Sequence, residues 1–226
     1  MAKIEVRRAF NTFEIRRASF RKGLHAIVKG SNATQVVSGS GVTENYEDSI
    51  SLQLGTTHAS TAGRYFAVYL PGTADPNGIN WGKKLYLGFT LVFRGTVFTN
   101  ITLRAHFTQA TTIGNLTAHG LGMQSNAANI NLATYGTGGS QQLVSAATNL
   151  VTADRVHIHI EHDPASQDRL YINDTLTSAV QSTAADIPST EPAATYYLFF
   201  SISRSGGVDT GNEYVIIENI ALGMEF

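Results

Sequence analysis

The chain has no cysteine, five prolines and one tryptophan among its 226 residues, and only 15% of its residues are charged. The absence of cysteine excludes disulfide bonds, thiolate metal sites and a cysteine nucleophile. No apolar run reaches the roughly 18–20 residues that a membrane-spanning helix needs. The basic N-terminus lacks an uninterrupted apolar core, so we do not expect it to be a secretory signal.

The chain does have a period-two alternation of apolar and polar residues in most segments beyond residue 24. In segment 155–162 (RVHIHIEH), for example, Val156, Ile158 and Ile160 share one face. Turn-forming residues such as the GTGGS at 136–140 separate these segments. The pattern predicts an all-β fold of about ten to twelve strands, arranged as a sandwich or barrel, with little helix.

The same alternation predicts which side chains form the core. Phe199 follows the inward-facing Leu198, so it should face outward or into a second layer. Two short segments, 24–29 and 33–37, flank Gly30-Ser31-Asn32 and are predicted to form a hairpin. The predicted core positions are Val156, Ile158, Ile160, Leu198, Phe200, Ile202, Val215 and Ile217.

Positive charge is concentrated at the N-terminus. Residues 1–29 hold eight Lys or Arg against two acidic residues, whereas the remaining 197 hold eight against fifteen. We therefore divide the chain into a basic N-terminal arm, residues 1–22, and a single β domain, residues 23–226. The arm is either a solvated face of the first element or a segment that docks on an acidic surface.

The arm mixes arginines with aromatic side chains, as protein interfaces do. This mixture predicts contact with another copy of the chain or with a scaffold protein. Nucleic acid is not the expected partner, because an arm for that purpose would be more basic and richer in Gly or Ser. The candidate contact residues are Arg7, Arg8, Phe10, Phe13, Arg16 and Arg17.

Several segments resemble concanavalin A-like (laminin G-like) domains, a superfamily of lectins and glucanases. These are the alternating strand 155–163, the segment 168–174 (DRLYIND), the hydrophobic strand 196–203 and the closing segment 213–223, which ends in NIALG. Segment 118–124 resembles the small-residue strand that crosses the concave sheet in that family. The resemblance implies an antiparallel two-sheet jelly-roll β-sandwich, with function on the concave face or on edge loops.

Catalytic and metal chemistry find little support in the spacing of acidic residues and histidines. Glucanases of this superfamily carry Glu-x-Asp-x-x-Glu, whereas Glu161 and Asp163 have no third carboxylate and Pro164 ends their strand. We therefore predict that the protein is not an enzyme. His157, His159 and Glu161 alternate on one strand face, so they are either metal ligands or an outward, solvated face. No cofactor is expected, although the lectin resemblance leaves calcium open at Asp75–Gly78 or at Asp163 and Asp168.

Sugar binding needs an aromatic platform beside polar groups. Trp81 follows a polar loop and is either such a platform or a lid on the end of the core; Tyr135 is the second candidate. Two functions remain. The first is a structural or adhesive component of an assembled particle, such as a virion or phage decoration, spike or tail protein, acting as a homo-oligomer in an extracellular assembly. The alternative is a carbohydrate-binding, lectin-like module.

Overall fold

The structure is a computed structural model that describes residues 23–27, 34–38, 42–45, 49–55, 60–68, 81–94, 100–117, 119–126, 129–149, 155–173, 175–181, 196–205 and 213–225. These residues form fifteen β-strands and no helix. Among them there is accordingly no helix long and apolar enough to cross a membrane. The arm, residues 1–22, lies outside the described residues, so the predictions for it remain predictions.

The strands form two antiparallel sheets. Sheet A has the order β13-β12-β11-β6-β15-β4-β3, and β1 also pairs with β15. Its strands are β1 (Gly23–Ile27), β3 (Val42–Asn45), β4 (Ser49–Gln53), β6 (Leu85–Arg94), β11 (Arg155–His162), β12 (Gln167–Ile172), β13 (Thr175–Gln181) and β15 (Tyr214–Glu225).

Sheet B has seven strands in the order β10-β9-β8-β7-β14-β5-β2. Its strands are β2 (Thr34–Ser38), β5 (Thr61–Val68), β7 (Ile101–Thr108), β8 (Gly120–Asn126), β9 (Asn129–Tyr135), β10 (Gln142–Asn149) and β14 (Tyr196–Arg204). The apolar faces of the two sheets pack together, which confirms the predicted all-β, two-sheet sandwich.

The core lies between the sheets and follows the predicted alternation. All eight predicted core residues are at most 7% exposed. Phe199 faces away from this core yet is only 3% exposed, because it packs beside Tyr65 in a second layer on sheet B. Both parts of the prediction for β14 are therefore confirmed.

The predicted hairpin near the N-terminus is wrong. Strand β1 joins sheet A, where Gly23 is opposite Glu225 of β15, and β2 joins sheet B, where Thr34 is opposite Tyr65 of β5. The two strands are close in sequence, but each pairs with a strand of a different sheet. Five strands, β3, β8, β9, β10 and β13, lie outside the segments in which the residue pattern predicts a strand.

Three described asparagines adopt left-handed backbone conformations, and two of them follow or interrupt a strand of sheet A. Asn173 has a φ of 48° and directly follows β12, before the antiparallel strand β13. Asn219 has a φ of 53° and lies within the irregularity of β15 between Glu218 and Ala221. Asparagine tolerates this region better than other non-glycine residues, so the sequence suits both positions.

Candidate functional site

The outer face of sheet B, turned away from the core, carries the most developed polar surface of the described residues. In β7, Leu103, Ala105 and Phe107 point into the core, so Arg104 and His106 point outward. The register places Gln124 of β8 beside Arg104, and Ser201 of β14 on its other side. Strand alternation and antiparallel pairing thus bring side chains from distant parts of the chain together on one face.

Gln124 is the centre of a hydrogen-bond network on this face. Its Oε1 accepts hydrogen bonds from Arg104 Nε at 3.3 Å and from Gln141 Nε2 at 3.2 Å. Its Nε2 donates to Asn115 Oδ1 at 3.3 Å. Arg104 Nη1 donates to Ser203 Oγ at 2.8 Å. These five residues are called the Gln124 network below.

The connection between β7 and β8 closes one side of the network. The backbone N–H of Leu116 donates to Gln141 Oε1, and Leu116 itself is buried. A Cβ added at Gly120 would lie 2.9 Å from Leu116 Cδ2, so Leu116 packs over this glycine. Asn115, the next residue back, is exposed. The network therefore has a buried centre at Gln124 and an exposed rim at Asn115.

Small residues form the floor of the face beside the network. A Cβ on Gly122 would lie 2.1 Å from the carbonyl oxygen of Ala105 and 2.9 Å from His106 Cδ2. Only glycine fits at this close approach of strand to strand. On β14 the face becomes aromatic: Tyr65 meets Tyr197 edge to face, with ring centroids 5.2 Å apart. Amide, guanidinium and aromatic groups thus share one face of the sheet, with Tyr197 two same-face steps along β14 from the level of Arg104.

Two buried polar atoms next to the network lack a hydrogen-bond partner within the described part of the chain. They are Nε2 of His106 and Oγ of Ser201. Ser201 is the cross-strand neighbour of Arg104, and His106 is the next outward residue along β7. Buried polar atoms are almost always hydrogen-bonded in folded proteins. The described residues leave these two buried atoms unpaired.

The electrostatics of this face are simple. Burial, reinforced by the positive charge of Arg104, lowers the pKa of His106 to about 3, so its imidazole is neutral at physiological pH. Burial also lowers the pKa of Arg104, but a guanidinium keeps its charge at neutral pH. Arg104 is thus a fixed cation among neutral amides, hydroxyls and rings.

Trp81 is not a glycan platform. Its side chain is 1% exposed, and its ring centroid lies 5.6 Å from those of Phe107 and Tyr196 and 5.2 Å from that of His162. Aromatic partners occupy the positions that a sugar ring would need. Trp81 is a core residue, in agreement with the alternative reading of it as a lid.

Tyr135, the other predicted sugar contact, lies on the same outer face as the Gln124 network. It ends β9, is half-buried and pairs with Gly120, which shares its face with Gly122 and Gln124. Two same-face steps separate it from the level of Gln124, roughly 13 Å along the strand. Tyr135 therefore lies toward one end of this face.

The three metal candidates on β11 do share one face, the outer face of sheet A, but each has another role there. His157 Nδ1 lies 3.0 Å from Thr90 Oγ1, and the His159 ring stacks on that of Tyr171 with centroids 5.5 Å apart. Glu161 Oε2 accepts a hydrogen bond from the Tyr171 hydroxyl at 3.1 Å. His159 and Glu161 are at most 7% exposed, so the interpretation of a solvated face is wrong for these two. No group of three metal-ligating side chains is found in the described ranges.

The carboxylates near the end of β11 are also engaged. Arg169 Nη1 lies 3.7 Å from Glu161 Oε2 and 3.8 Å from Asp163 Oδ2, which makes these two acidic groups partners of one guanidinium. Asp168 is fully buried, with Oδ1 2.6 Å from His162 Nδ1. Asp163 and Asp168 thus face different partners, and the third calcium candidate, Asp75–Gly78, lies outside the described residues.

Reasoning from the sequence did not find the Gln124 network. Arginine, glutamine, asparagine and serine are common on protein surfaces, and only the register of β7, β8 and β14 brings them together. One signal was present in segment 101–107 (ITLRAHF), where alternation places Arg104 and His106 on the polar face of a strand with an apolar second face. Gly120 and Gly122, which lie on the same face of a strand, are a second sign of a tightly packed face.

Comparison with known proteins supports the fold. The receptor-binding domain of botulinum neurotoxin D superimposes with a TM-score of 0.55 at 11% identity, covering 92% of this chain and 49% of that one. The binding domain of Paraclostridial Mosquitocidal Protein 1 gives 0.53 at 11% identity, covering 90% and 47%. A botulinum neurotoxin D ligand-binding domain in complex with N-acetylneuraminic acid gives 0.52 at 12% identity, covering 92% and 48%.

These neighbours share the all-β sandwich with this chain. They are described as binding domains, and this chain spans about half of their length. No protein-family model matches the sequence, and no curated protein sequence matches it. At 11–12% identity the likeness establishes the fold, so function has to be argued from the residues of this chain.

Proposed function

We propose that this protein is a non-enzymatic, lectin-like module that binds carbohydrate on the outer face of sheet B. The observation that carries the proposal is the Gln124 network together with Tyr65 and Tyr197. Sugars present hydroxyl groups around an apolar ring face, and sites for them combine fixed polar groups with aromatic surface. This face offers both: Arg104, Gln124, Ser203, Tyr65 and Tyr197 lie on strands, and Asn115 and Gln141 lie on the adjoining connections.

Each part of the face has a defined task in this proposal. The Gln124 amide forms hydrogen bonds with the side chains of Arg104, Asn115 and Gln141. These bonds fix the orientation of the amide and of its three partners. Exposed Asn115 and half-buried Gln141 and Ser203 offer hydroxyl partners at the rim. Half-buried Tyr65 and Tyr197 offer aromatic surface for a sugar ring. Preorganised groups bind at a lower entropic cost than mobile ones.

Two further observations support the proposal. The sequence resembles concanavalin A-like domains, in which function commonly lies on the concave face. One structural neighbour is described in complex with N-acetylneuraminic acid, a sugar, and others are described as receptor-binding domains. Each covers about twice the length of this chain, so a binding site of theirs need not lie in the matched half.

The first test is a glycan array probed with the purified chain. We expect binding to a defined set of glycans, reduced roughly two- to tenfold by Tyr197→Ser, the range that an aromatic contact supplies. Tyr171→Ser is the matched control, since Tyr171 is a half-buried tyrosine on the outer face of sheet A. Equal losses in both variants, or no glycan bound at all, would contradict the proposal.

The role of the arm in assembly is a separate proposal that rests on its sequence. Strand β1 begins at Gly23 and pairs with β15, so the described sandwich contains no arm residue. We expect deletion of residues 2–22 to leave the β-type circular dichroism spectrum unchanged and to lower the molecular mass in solution. High salt should reproduce part of that loss by screening. A truncated chain that fails to fold would show instead that the arm belongs to the sandwich. Whether the chain is part of a virion or another particle stays a prediction.

A further inference from the structure

Arg104 differs from Arg155, Arg169 and Arg204 in the partners it has. Arg155 lies 2.7 Å from Glu218, Arg204 lies 2.6 Å from Glu213, and Arg169 lies 3.7 Å from Glu161. Each of these cations is balanced by a carboxylate. In the described part of the chain the side-chain partners of Arg104 are Gln124 and Ser203, and neither carries a charge.

An unbalanced guanidinium in this position is costly. Arg104 is half-buried, and its outward neighbours are an amide, hydroxyls and a neutral imidazole. Removing a cation from water without an opposite charge is unfavourable, whereas an anion brought to it restores the balance. The two hydrogen bonds hold the guanidinium in one orientation. A ligand that binds to it therefore does not have to reduce the conformational entropy of this side chain.

The guanidinium also has donors to offer. Arginine has five N–H groups, and the bonds to Gln124 and Ser203 use one on Nε and one on Nη1. Three remain, one on Nη1 and two on Nη2. This edge suits a carboxylate, which accepts two parallel hydrogen bonds from a guanidinium. Ser201 is the cross-strand neighbour of Arg104, and its Oγ, like Nε2 of His106 on the same strand face, is one of the seven buried side-chain atoms without a hydrogen-bond partner in the described part of the chain.

We propose that the sugar recognised at this face is acidic, and that Arg104 binds its carboxylate. This inference rests on the proposed function and adds a ligand class to it: a glycan that carries a sialic or uronic acid. The Gln124 network supplies the uncharged contacts that position the rest of the sugar. Arg104 then determines specificity, since neutral glycans of the same shape leave its charge unbalanced.

The experiment is calorimetric titration of the full chain with 3′-sialyllactose, with a hyaluronan tetrasaccharide and with lactose as the neutral probe. One charge-assisted contact predicts that the better acidic probe binds about ten- to hundredfold tighter than lactose. Comparison of the two acidic probes identifies which acid is preferred. The preference should decrease as the salt concentration rises.

Three variants locate the effect. Arg104→Gln should bring the acidic probe to the affinity of lactose, and Arg104→Lys should keep part of the preference because it keeps the charge. Arg155→Gln, on the outer face of sheet A, should leave the preference unchanged, with thermal melting to confirm that every variant is folded. Equal binding of lactose and the acidic probes, or a preference that survives Arg104→Gln, would overturn this inference and leave the glycan-binding function standing. No binding of any glycan would overturn both.

Discussion

Replacing Asp168 with alanine is expected to lower the free energy of unfolding by about 3–5 kcal/mol. Asp168 and His162 are both fully buried, with Oδ1 and Nδ1 2.6 Å apart. His162 Nε2 lies 2.8 Å from the carbonyl oxygen of Trp81 and must donate to it, since a carbonyl can only accept. One further proton therefore joins Nδ1 to Oδ1. Without Asp168 this buried nitrogen loses its partner.

The control is Glu218→Ala, at an ion pair on the outer face of sheet A. Glu218 Oε2 lies 2.7 Å from Nη1 of Arg155, whose side chain is mostly exposed to solvent. Pairs of this kind contribute about 1 kcal/mol or less, so urea denaturation should separate the two variants clearly. In a double-mutant cycle, His162→Ala should add little to Asp168→Ala, because either change alone breaks the pair. Additive losses would show that the pair is not a unit.

The same pair makes the stability depend on pH above the ordinary pKa of histidine. Burial alone lowers the pKa of His162, but the hydrogen bond and charge of Asp168 and the Trp81 carbonyl together raise it above the ordinary value. A raised folded-state pKa means that the stabilisation is complete below the unfolded-state value of 6.5 and is lost as pH rises through the folded-state pKa. The stability difference between wild type and Asp168→Ala should therefore shrink at high pH.

His106 is expected to make the fold sensitive to acid. Its pKa is lowered from 6.5 to about 3, first by burial and then by Arg104, so the folded state holds the neutral ring while the unfolded chain takes up a proton. The stabilisation is present above pH 6.5 and is lost as pH falls toward 3. Each pH unit within that window costs roughly 1.4 kcal/mol.

His106→Gln isolates this effect, because glutamine is polar but does not titrate. Free energies of unfolding measured between pH 6.5 and 4.5 should fall more steeply in the wild type, by about 2–3 kcal/mol over the two units. Other titrating groups are common to both proteins and cancel in the comparison. Parallel curves for wild type and variant would show that the His106 ring is protonated in the folded state.

The fold could be read from the sequence wherever one strand face is apolar and the other is not. Val156, Ile158 and Ile160 were predicted in the core because β11 alternates, and all three are buried. The alternation fails in β8 and β9, where small residues such as Gly122 and Ala133 occupy the outer face and give little contrast. Which strands pair with each other was harder to predict. Strand β1 pairs with β15, about 200 residues later, and no local sequence pattern encodes that contact.

The candidate site was harder to predict than the core for a related reason. Core residues can be recognised one at a time, because burial of an apolar side chain is favourable wherever it occurs. A binding surface depends on which side chains become neighbours, and Arg104, Gln124 and Ser203 come from three strands. Trp81 shows the same limit: its position after a polar loop fits either an exposed sugar platform or a lid on the core, and in the structure it fills the end of the core.

The positions of β14 and β15 have a consequence for how the molecule is made. Strand β15 lies between β6 and β4 in sheet A, and β14 lies between β7 and β5 in sheet B, so each sheet is two separate halves until residues 196–225 exist. During synthesis on the ribosome, β4, β5, β6 and β7 have unpaired edges until β14 and β15 are made. The contacts that then join the halves of each sheet connect residues far apart in the sequence. Folding should therefore be slow and should follow synthesis, with the open edges of β6 and β7 exposed to chaperones or to other nascent chains in the interval.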